Sequence, residues 1–175
     1  MRHAIIGAAA LLAAVAFATG AVAQSAQPTN AGIYKDWNAF TGSDANGKVC
    51  FIASQPTDSQ YSQTVNGRDP AFFQITSAPA NGVRNEASTI VGFTIRTSAD
   101  VTVDVDGTKF RMFLDPSHPD TAWAVPEQEA QLVDAMRQGS RMTVTAISGR
   151  GTTVTDTYSL SGVTAALQKL GEECP

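Results

Sequence analysis

The sequence predicts a mainly β domain, an antiparallel β sandwich or barrel with two short packed helices and one disulfide bond. Short runs rich in β-branched and aromatic residues are separated by segments of Gly, Pro, Asn and Asp, a pattern typical of strands joined by turns. Apolar residues recur at helical spacing in two later stretches, near residues 126–139 and 161–171. The chain also contains two cysteines.

The first half of the chain contains four predicted strands. Residues 33–40 mix aromatic and polar side chains, and residues 48–54 (Lys-Val-Cys-Phe-Ile-Ala-Ser) are rich in β-favouring types. Residues 71–77 and 89–97 have a similar composition. Residues 55–70 are polar and show no periodicity, so we expect a long loop there.

Asp106-Gly107 is the clearest turn signal, since this pair suits a two-residue type I′ hairpin turn. The resulting register places three pairs opposite one another: Val103 with Phe110 and Val101 with Met112 on an apolar face, and Asp104 with Lys109 on the other face. The same segment resembles part of a calcium-binding loop. Thr102 and Phe113 occupy the first and twelfth ligand positions, however, which argues against calcium.

The first predicted helix begins near Pro126, which suits a first-turn position. Glu127 and Glu129 favour its positive end, and Gly139 provides a C′ stop. Its apolar stripe consists of Leu132, Val133 and Met136, and Arg137 provides its basic end.

The second predicted helix begins near Ser161 and is closed by Gly171. Its apolar positions are Val163, Ala166, Leu167 and Leu170. Between the helices, residues 141–147 and 152–160 are predicted strands joined by residues 148–151 (Ser-Gly-Arg-Gly).

The first 23 residues have the pattern of a cleaved secretory leader. A basic start at Arg2 and His3 precedes an unbroken small, apolar run over 4–18, and residues 21–23 (Ala-Val-Ala) suit a signal peptidase. The run is too short to span a bilayer comfortably, and no second hydrophobic stretch follows. We therefore expect a periplasmic or secreted protein without an integral membrane span.

The exported chain would begin near Gln24, with a flexible arm over 24–32 and a single domain over 33–175. Removal of Arg2 with the leader leaves 11 basic and 16 acidic residues, so the net charge changes from −4 to −5. These charges are scattered. The pattern therefore disfavours nucleic-acid binding and a polybasic attachment to lipid.

Cys50 and Cys174 form an even pair in an oxidising compartment, which predicts one intramolecular disulfide. A redox or metal-binding pair is the alternative. The chain has no Cys-x-x-Cys spacing, and the two glutamates beside Cys174 would not lower the pKa of its thiol.

His118 is the only imidazole after the leader, and it lies in a turn-forming loop between Asp115 and Asp120. It is a candidate general base or metal ligand, although a solvated loop histidine is the commoner case. No Gly-x-Ser-x-Gly motif accompanies it.

Other candidate groups have simpler structural explanations. The acid pairs Asp104 with Asp106 and Glu127 with Glu129 fit turn, outer-face or helix-start positions. Residues 148–152 could form an anion-binding nest but fit a hairpin turn with an exposed arginine better. Trp37 and Trp123 could stack on sugars, yet in strands they are more often core residues. We therefore predict no catalytic, metal or cofactor-binding residues.

Several segments, in order and spacing, together resemble the invasion-associated locus B family of exported bacterial proteins. The segments are Asp36-Trp37, residues 47–56, 83–88, 106–110 and 122–124, Gly139, residues 150–152 and 156–167, and Cys174. The resemblance implies a periplasmic or envelope-associated protein, in a family named for a role in host-cell invasion. It implies no activity, cofactor or catalytic residue. Val163 departs from the closing motif, where a bulkier aromatic residue is expected.

Three functions remain open on the sequence. The first is a non-enzymatic envelope protein that presents residues 55–70 and 115–126 to another envelope or host protein, because long polar loops on a stiff frame often carry binding. The second is a periplasmic small-molecule or glycan-binding protein with Trp37 or Trp123 lining a pocket. The third, least favoured, is a hydrolase that uses a pair of carboxylates.

Overall fold

The computed structural model describes residues 27–175, in which eleven strands form one continuous antiparallel sheet. The strands are β1 (Thr29–Tyr34), β2 (Trp37–Ser43), β3 (Lys48–Ser54), β4 (Asp58–Tyr61), β5 (Phe72–Ala78), β6 (Val83–Ile90), β7 (Val101–Val105), β8 (Thr108–Leu114), β9 (Thr121–Ala124), β10 (Arg141–Ile147) and β11 (Thr153–Ser159). Two helices, α1 (Pro126–Gln138) and α2 (Val163–Glu173), and a short 3-10 turn at Pro79–Asn81 complete the fold. The predicted fold class is confirmed.

Within the sheet the strands lie in the order β1-β2-β3-β5-β6-β9-β8-β7-β10-β11-β4, so β1 and β4 are its two edges. Alternate residues of the strands face a common interior, where Trp37, Phe73 and Tyr158 are fully buried. Phe73 makes edge-to-face contacts with both of the others, at centroid distances of 6.5 and 6.1 Å. The predicted leader lies outside the described residues.

The hairpin of β7 and β8 has the predicted register. Val103 pairs with Phe110, Val101 with Met112 and Asp104 with Lys109. Asp106 and Gly107 both have positive φ, 46° and 97°, as a type I′ turn requires. The four apolar side chains are buried, so this local pattern alone fixes which face of the hairpin meets the core.

Helix α1 begins at Pro126 and buries Leu132, Val133 and Met136, as expected. It ends at Gly139, but with an ordinary negative φ of −82° rather than a left-handed one. A glycine suits this position because a Cβ would lie 2.7 Å from a methyl carbon of Val105.

Helix α2 buries the four predicted apolar residues, but the prediction that Gly171 closes it was wrong, since the helix continues to Glu173. Packing of the apolar face and the bond at Cys174 hold the last turn in place and outweigh the low helix propensity of glycine.

Side chains from the first turn of α1 accept hydrogen bonds from β6 and β8 where strand β9 is too short to do so. This short strand lies between β6 and β8 and stops at Ala124. Beyond that point, Glu129 Oε1 accepts the Ala87 N–H of β6 and Gln128 Oε1 accepts the Arg111 N–H of β8, both at 3.0 Å. Two ladder donors that have lost their strand partner are thus satisfied by side chains.

The N-terminal prediction was wrong in two respects. Residues 33–40 are not one strand, because Lys35 adopts a φ of 54° and the chain turns between β1 and β2. Residues 29–32, expected in a flexible arm, belong to β1. An edge strand is held by backbone hydrogen bonds to a single neighbour and tolerates polar side chains, so its sequence resembles a loop.

Three other segments also differ from expectation. Residues 55–70 contain edge strand β4, and residues 115–126 contain β9 and the start of α1. The strand expected at 89–97 lies instead at 83–90. At Gly92 the φ of 71° ends regular pairing, and the next residues bond to other loops, as in Ile95 N–H to Pro119 O at 2.7 Å.

Candidate functional site

Cys50 and Cys174 form the predicted disulfide, which ties the end of α2 to β3. Both residues are buried. Glu173 reinforces the junction through Lys169 at 2.7 Å and Lys48 at 2.6 Å, and hydrogen bonds and charge from these two lysines lower its pKa to about 2. The disulfide and these ion pairs together hold the end of α2 against β3.

His118 lies in an exposed turn rather than in a catalytic relay. Its Nδ1 lies 3.1 Å from Ser117 Oγ and 3.5 Å from Asp115 Oδ2, while Ser117 Oγ itself donates to Asp115 Oδ1 at 2.7 Å. A Ser-His-Asp relay needs the serine and the acid on different ring nitrogens, so this cluster cannot work as one. Hydrogen bonds from Ser117 lower the pKa of Asp115.

The acid pairs serve local structure. Asp104 accepts the Gly107 N–H of the hairpin turn at 2.7 Å. Asp106 accepts the N–H groups of Ser140 and Arg141, and these bonds, led by the one from Ser140, lower its pKa. Glu127 lies in the first turn of α1, and Glu129 accepts the Ala87 N–H of β6, as described above. Within residues 27–175 there is no group of three His, Cys, Asp or Glu residues that could hold a metal ion.

The two tryptophans differ. Trp37 is fully buried and donates its indole N–H to Ser159 O at 3.0 Å, so it is the predicted core residue. Trp123 is only partly buried and lies on the outer face, stacked beside exposed Phe113 at 6.0 Å, with His118 against it at 5.5 Å. Its assignment to the core was wrong, because the inward positions of β9 are taken by Ala122 and Ala124.

A buried ion pair anchors the long loop over 62–70. Arg68 places two guanidinium nitrogens 2.8 and 2.5 Å from the carboxylate oxygens of Asp156, and its Nε donates to Val91 O at 2.7 Å. Only 9% of the Arg68 side chain and 2% of the Asp156 side chain are exposed. Burial opposes the charge of Arg68, but bonds to Asp156 prevail and raise its pKa above the ordinary value.

Aromatic rings and a second donor complete this anchor. The guanidinium of Arg68 lies 5.2 Å from the centre of the Phe93 ring and 5.9 Å from that of Tyr61. Ser59 of β4 donates its hydroxyl to Asp156 Oδ1 at 2.7 Å. Strand β4, loop 62–70 and strand β11 are therefore joined at one point.

Beside the anchor is a cleft of about 740 Å³, which we call the loop cleft. Its walls are loop 62–70, residues 92–94 and the β10–β11 turn over 148–152. Arg68 is one of the lining residues, and it also lines a smaller depression of about 300 Å³. The size is within the range of small-ligand sites.

The β10–β11 turn is not an anion-binding nest. Gly149 N–H donates to Thr94 O, Gly151 N–H to Ser148 O and Thr152 N–H to Ser148 Oγ. These donors are used within the protein, and the turn contributes the exposed side chain of Arg150 instead. The prediction of a hairpin turn with an exposed arginine is confirmed.

Sequence reasoning missed the anchor, although one signal pointed to it. In β11, Asp156 alternates with Val154 and Tyr158 on the buried face. A carboxylate at an inward position requires a buried cation or several donors. That partner, Arg68, lies 88 positions away in a loop, and no local pattern identifies it.

These features define a β scaffold closed by a disulfide, with a cleft formed by its loops. The chain belongs to the invasion associated locus B (IalB) family, whose model matches residues 37–171. The resemblance noted in the sequence is confirmed.

One solved structure with this fold is that of invasion associated protein b from Bartonella henselae. It is 18% identical, with a TM-score of 0.54, over 81% of this chain and 95% of that chain. No curated protein matches the sequence. Neither helix within residues 27–175 is long and apolar enough to cross a membrane.

Proposed function

We propose that this protein is an exported, non-enzymatic binding protein of the bacterial cell envelope, and that its loop cleft holds a partner protein. The observation that carries the proposal is the anchored loop. A buried, bidentate ion pair fixes loop 62–70 at Arg68, while residues 62–67 remain exposed beside the cleft. Loops held by a rigid scaffold are common binding elements.

Family membership and the disulfide are consistent with this role. The bond from Cys50 to Cys174 suits an oxidising compartment, as expected for an exported protein. Asp104, Asp106 and His118 lie in turns with local hydrogen-bond partners, and Glu129 accepts a backbone N–H of β6. Of the two loops expected to present binding residues, 55–70 keeps that role in the proposal, whereas 115–126 is partly taken up by β9 and α1.

Site-specific photo-crosslinking in cells tests the proposal. A photoreactive amino acid in place of Val65, an exposed apolar residue of the loop cleft, should form an adduct with a discrete envelope or host protein. The same substitution at Ile33, an even more exposed apolar residue on edge strand β1, provides the matched control. Equal capture of one protein from both positions, or none from Val65, would reject the loop cleft as the interface.

The glycan-binding alternative now depends on Trp123, since Trp37 is buried. Exposed Phe113 and partly exposed Trp123 present adjacent rings, with an interplanar angle of 28°, on the outer face. A glycan stacked there should raise the melting temperature of the wild-type protein and not that of a Trp123→Ala variant. No shift with millimolar glycan would remove this alternative.

A further inference from the structure

We propose that Asn66 is a site of spontaneous deamidation, at which water converts the side-chain amide to a carboxylate in the wall of the loop cleft. The chain contains three Asn-Gly pairs, which begin at Asn46, Asn66 and Asn81. Asparagine deamidates most readily before glycine, because glycine has no Cβ to hinder the reaction. Hydrogen bonds hold the other two pairs but not the pair at Asn66. The inference goes beyond the proposed function, since it needs no partner.

The reaction needs the backbone nitrogen that follows the asparagine. The nitrogen of Gly67 loses its proton and attacks Cγ of Asn66, so that a new C–N bond forms, the bond from Cγ to Nδ2 breaks and ammonia leaves with the proton. Water then opens the cyclic imide at either of its carbonyl carbons, which gives aspartate or isoaspartate. No oxidant or reductant takes part. A hydrogen bond that holds the glycine N–H or the asparagine amide slows the reaction, because it must open first.

The pairs at Asn46 and Asn81 are held in one hydrogen-bond network with Asp44. Gly47 N–H donates to Asp44 Oδ1 at 2.9 Å. The Asn46 amide donates to Asn81 Oδ1, and the Asn81 amide to Asp44 Oδ2, both at 2.7 Å. The glycine after Asn81 donates its N–H to Pro79 O at 3.1 Å. The attacking nitrogen and the leaving amide are therefore engaged in both pairs.

Asn66 and Gly67 have no such restraint, since no hydrogen bond joins either of them to another residue of the described chain. The hydrogen bonds that flank them are made by Ser62 and Arg68. Gly67 has a φ of 78°, and no atom lies within 4 Å of the place that its Cβ would take. Exposure alone does not distinguish the pairs, because Asn46 is exposed as well. Hydrogen bonding is thus the property that selects Asn66.

Deamidation at Asn66 changes the charge of the loop cleft. The charged residues of the lining are Arg68, Asp69 and Arg150, and Arg68 is neutralised by Asp156. The remaining two charges cancel, so a carboxylate at position 66 makes a neutral lining acidic. In the isoaspartate product the main chain also gains one carbon just before the anchored Arg68.

Peptide mapping of the disulfide-bonded protein by mass spectrometry, after incubation at mildly alkaline pH, tests the inference. The amide at Asn66 should convert to aspartate and isoaspartate about tenfold faster than those at Asn46 and Asn81, the effect of one or two hydrogen bonds that must open first. In urea with reductant, where the fold is lost, the three rates should converge. This control separates the effect of the fold from that of the Asn-Gly sequence.

Two variants separate the network from the reactive loop. Asp44→Ala removes the acceptor of the Gly47 N–H and should speed deamidation at Asn46 several-fold while the rate at Asn66 is unchanged. Gly67→Ala should slow the reaction at Asn66 several-fold and leave Asn46 unchanged, because the new methyl group hinders attack.

Equal rates at the three positions of the folded protein, or a faster rate at Asn46 or Asn81, would overturn the inference. An Asn66 amide that reacts only in urea would overturn it too. Failure of Asp44→Ala to speed the reaction at Asn46 would show that the hydrogen-bond network does not protect that pair, and the selection of Asn66 by hydrogen bonding would be lost.

Discussion

Arg68 and Asp156 form an ion pair in the interior of the protein, where charge is tolerated only in pairs. A buried pair contributes little net stability, because desolvation offsets the attraction, but removal of one partner leaves the other charge uncompensated. The pair therefore determines where loop 62–70 lies more than how stable the whole fold is.

Asp156→Asn should lower the free energy of unfolding by about 3–5 kcal/mol, because it leaves the buried guanidinium of Arg68 without a counter-charge. Urea denaturation near neutral pH measures the change. Asp58→Asn on the exposed edge strand β4 is a matched control and should change stability by less than about 0.5 kcal/mol. Similar losses in the two variants would show that the anchor does not carry a buried charge.

Glu129 permits a second test at the residue scale, since its two roles can be separated by substitution. Its carboxylate accepts the Ala87 N–H, while partial burial, together with the nearby charge of Glu86, raises its pKa. The native state therefore takes up a proton at higher pH than the unfolded chain. The charged carboxylate of Glu129 therefore lowers the free energy of unfolding at pH values above the raised pKa. This loss of stability disappears as the pH falls through that pKa and the carboxylate is protonated.

Glu129→Gln keeps the acceptor and removes the charge, so it should be at least as stable as the wild type at neutral pH. Its advantage should shrink on acidification. Glu129→Ala leaves the Ala87 N–H without its partner and should cost about 1–3 kcal/mol. Thermal unfolding of all three proteins across a pH series makes the comparison. A Gln variant that loses as much as the Ala variant would contradict the assignment.

At the scale of elements, the approach of loop 62–70 to the end of β6 depends on Gly92. This residue has a φ of 71°, and a Cβ would overlap the carbonyl oxygen of Asp69. The Asp69 N–H in turn bonds to Gly92 O at 3.2 Å. The two backbones can therefore pass at this distance only if residue 92 has no side chain.

Gly92→Ala should displace the loop and destabilise the protein by more than about 1 kcal/mol. Hydrogen exchange of residues 62–70, together with urea denaturation, detects both effects. Gly67→Ala is the matched control, because Gly67 has a similar φ of 78° but no atom lies within 4 Å of the place that its Cβ would take. The extra loss of stability in Gly92→Ala over Gly67→Ala measures the clash between the new Cβ and Asp69 O. Equal losses would show that only the positive φ disfavours alanine at the two positions.

The elements that could be predicted are those whose structure follows from residue types within a few positions of the chain. β3 and β10 have the predicted bounds, and the β7–β8 register follows from one Asp-Gly turn. β4 could not be predicted, because its residues Asp58–Tyr61 gain strand structure only by pairing with the distant strand β11. The Arg68–Asp156 anchor has the same origin, since tertiary contacts between distant segments leave no periodic signal.

At the scale of the whole molecule, one sheet carries every described strand, and separate segments cover its interior. Helix α2 packs on β1, β2 and β3, α1 packs mainly on β6 and β8, and loop 62–70 reaches β11 through Arg68. Chain neighbours are often not sheet neighbours, since β4 pairs with β11 and β10 with β7. We therefore expect stability to be shared across the sheet rather than held in separable units.

The link between Cys50 and Cys174 makes a ring that contains every element from β3 to α2, together with the exposed stretch 62–67. A protease that cuts once in that stretch would thus produce two polypeptides that remain a single covalent molecule. Gel electrophoresis should show one full-mass band without reductant and two fragments with it. Fragments that separate without reductant would mean that the ring is open.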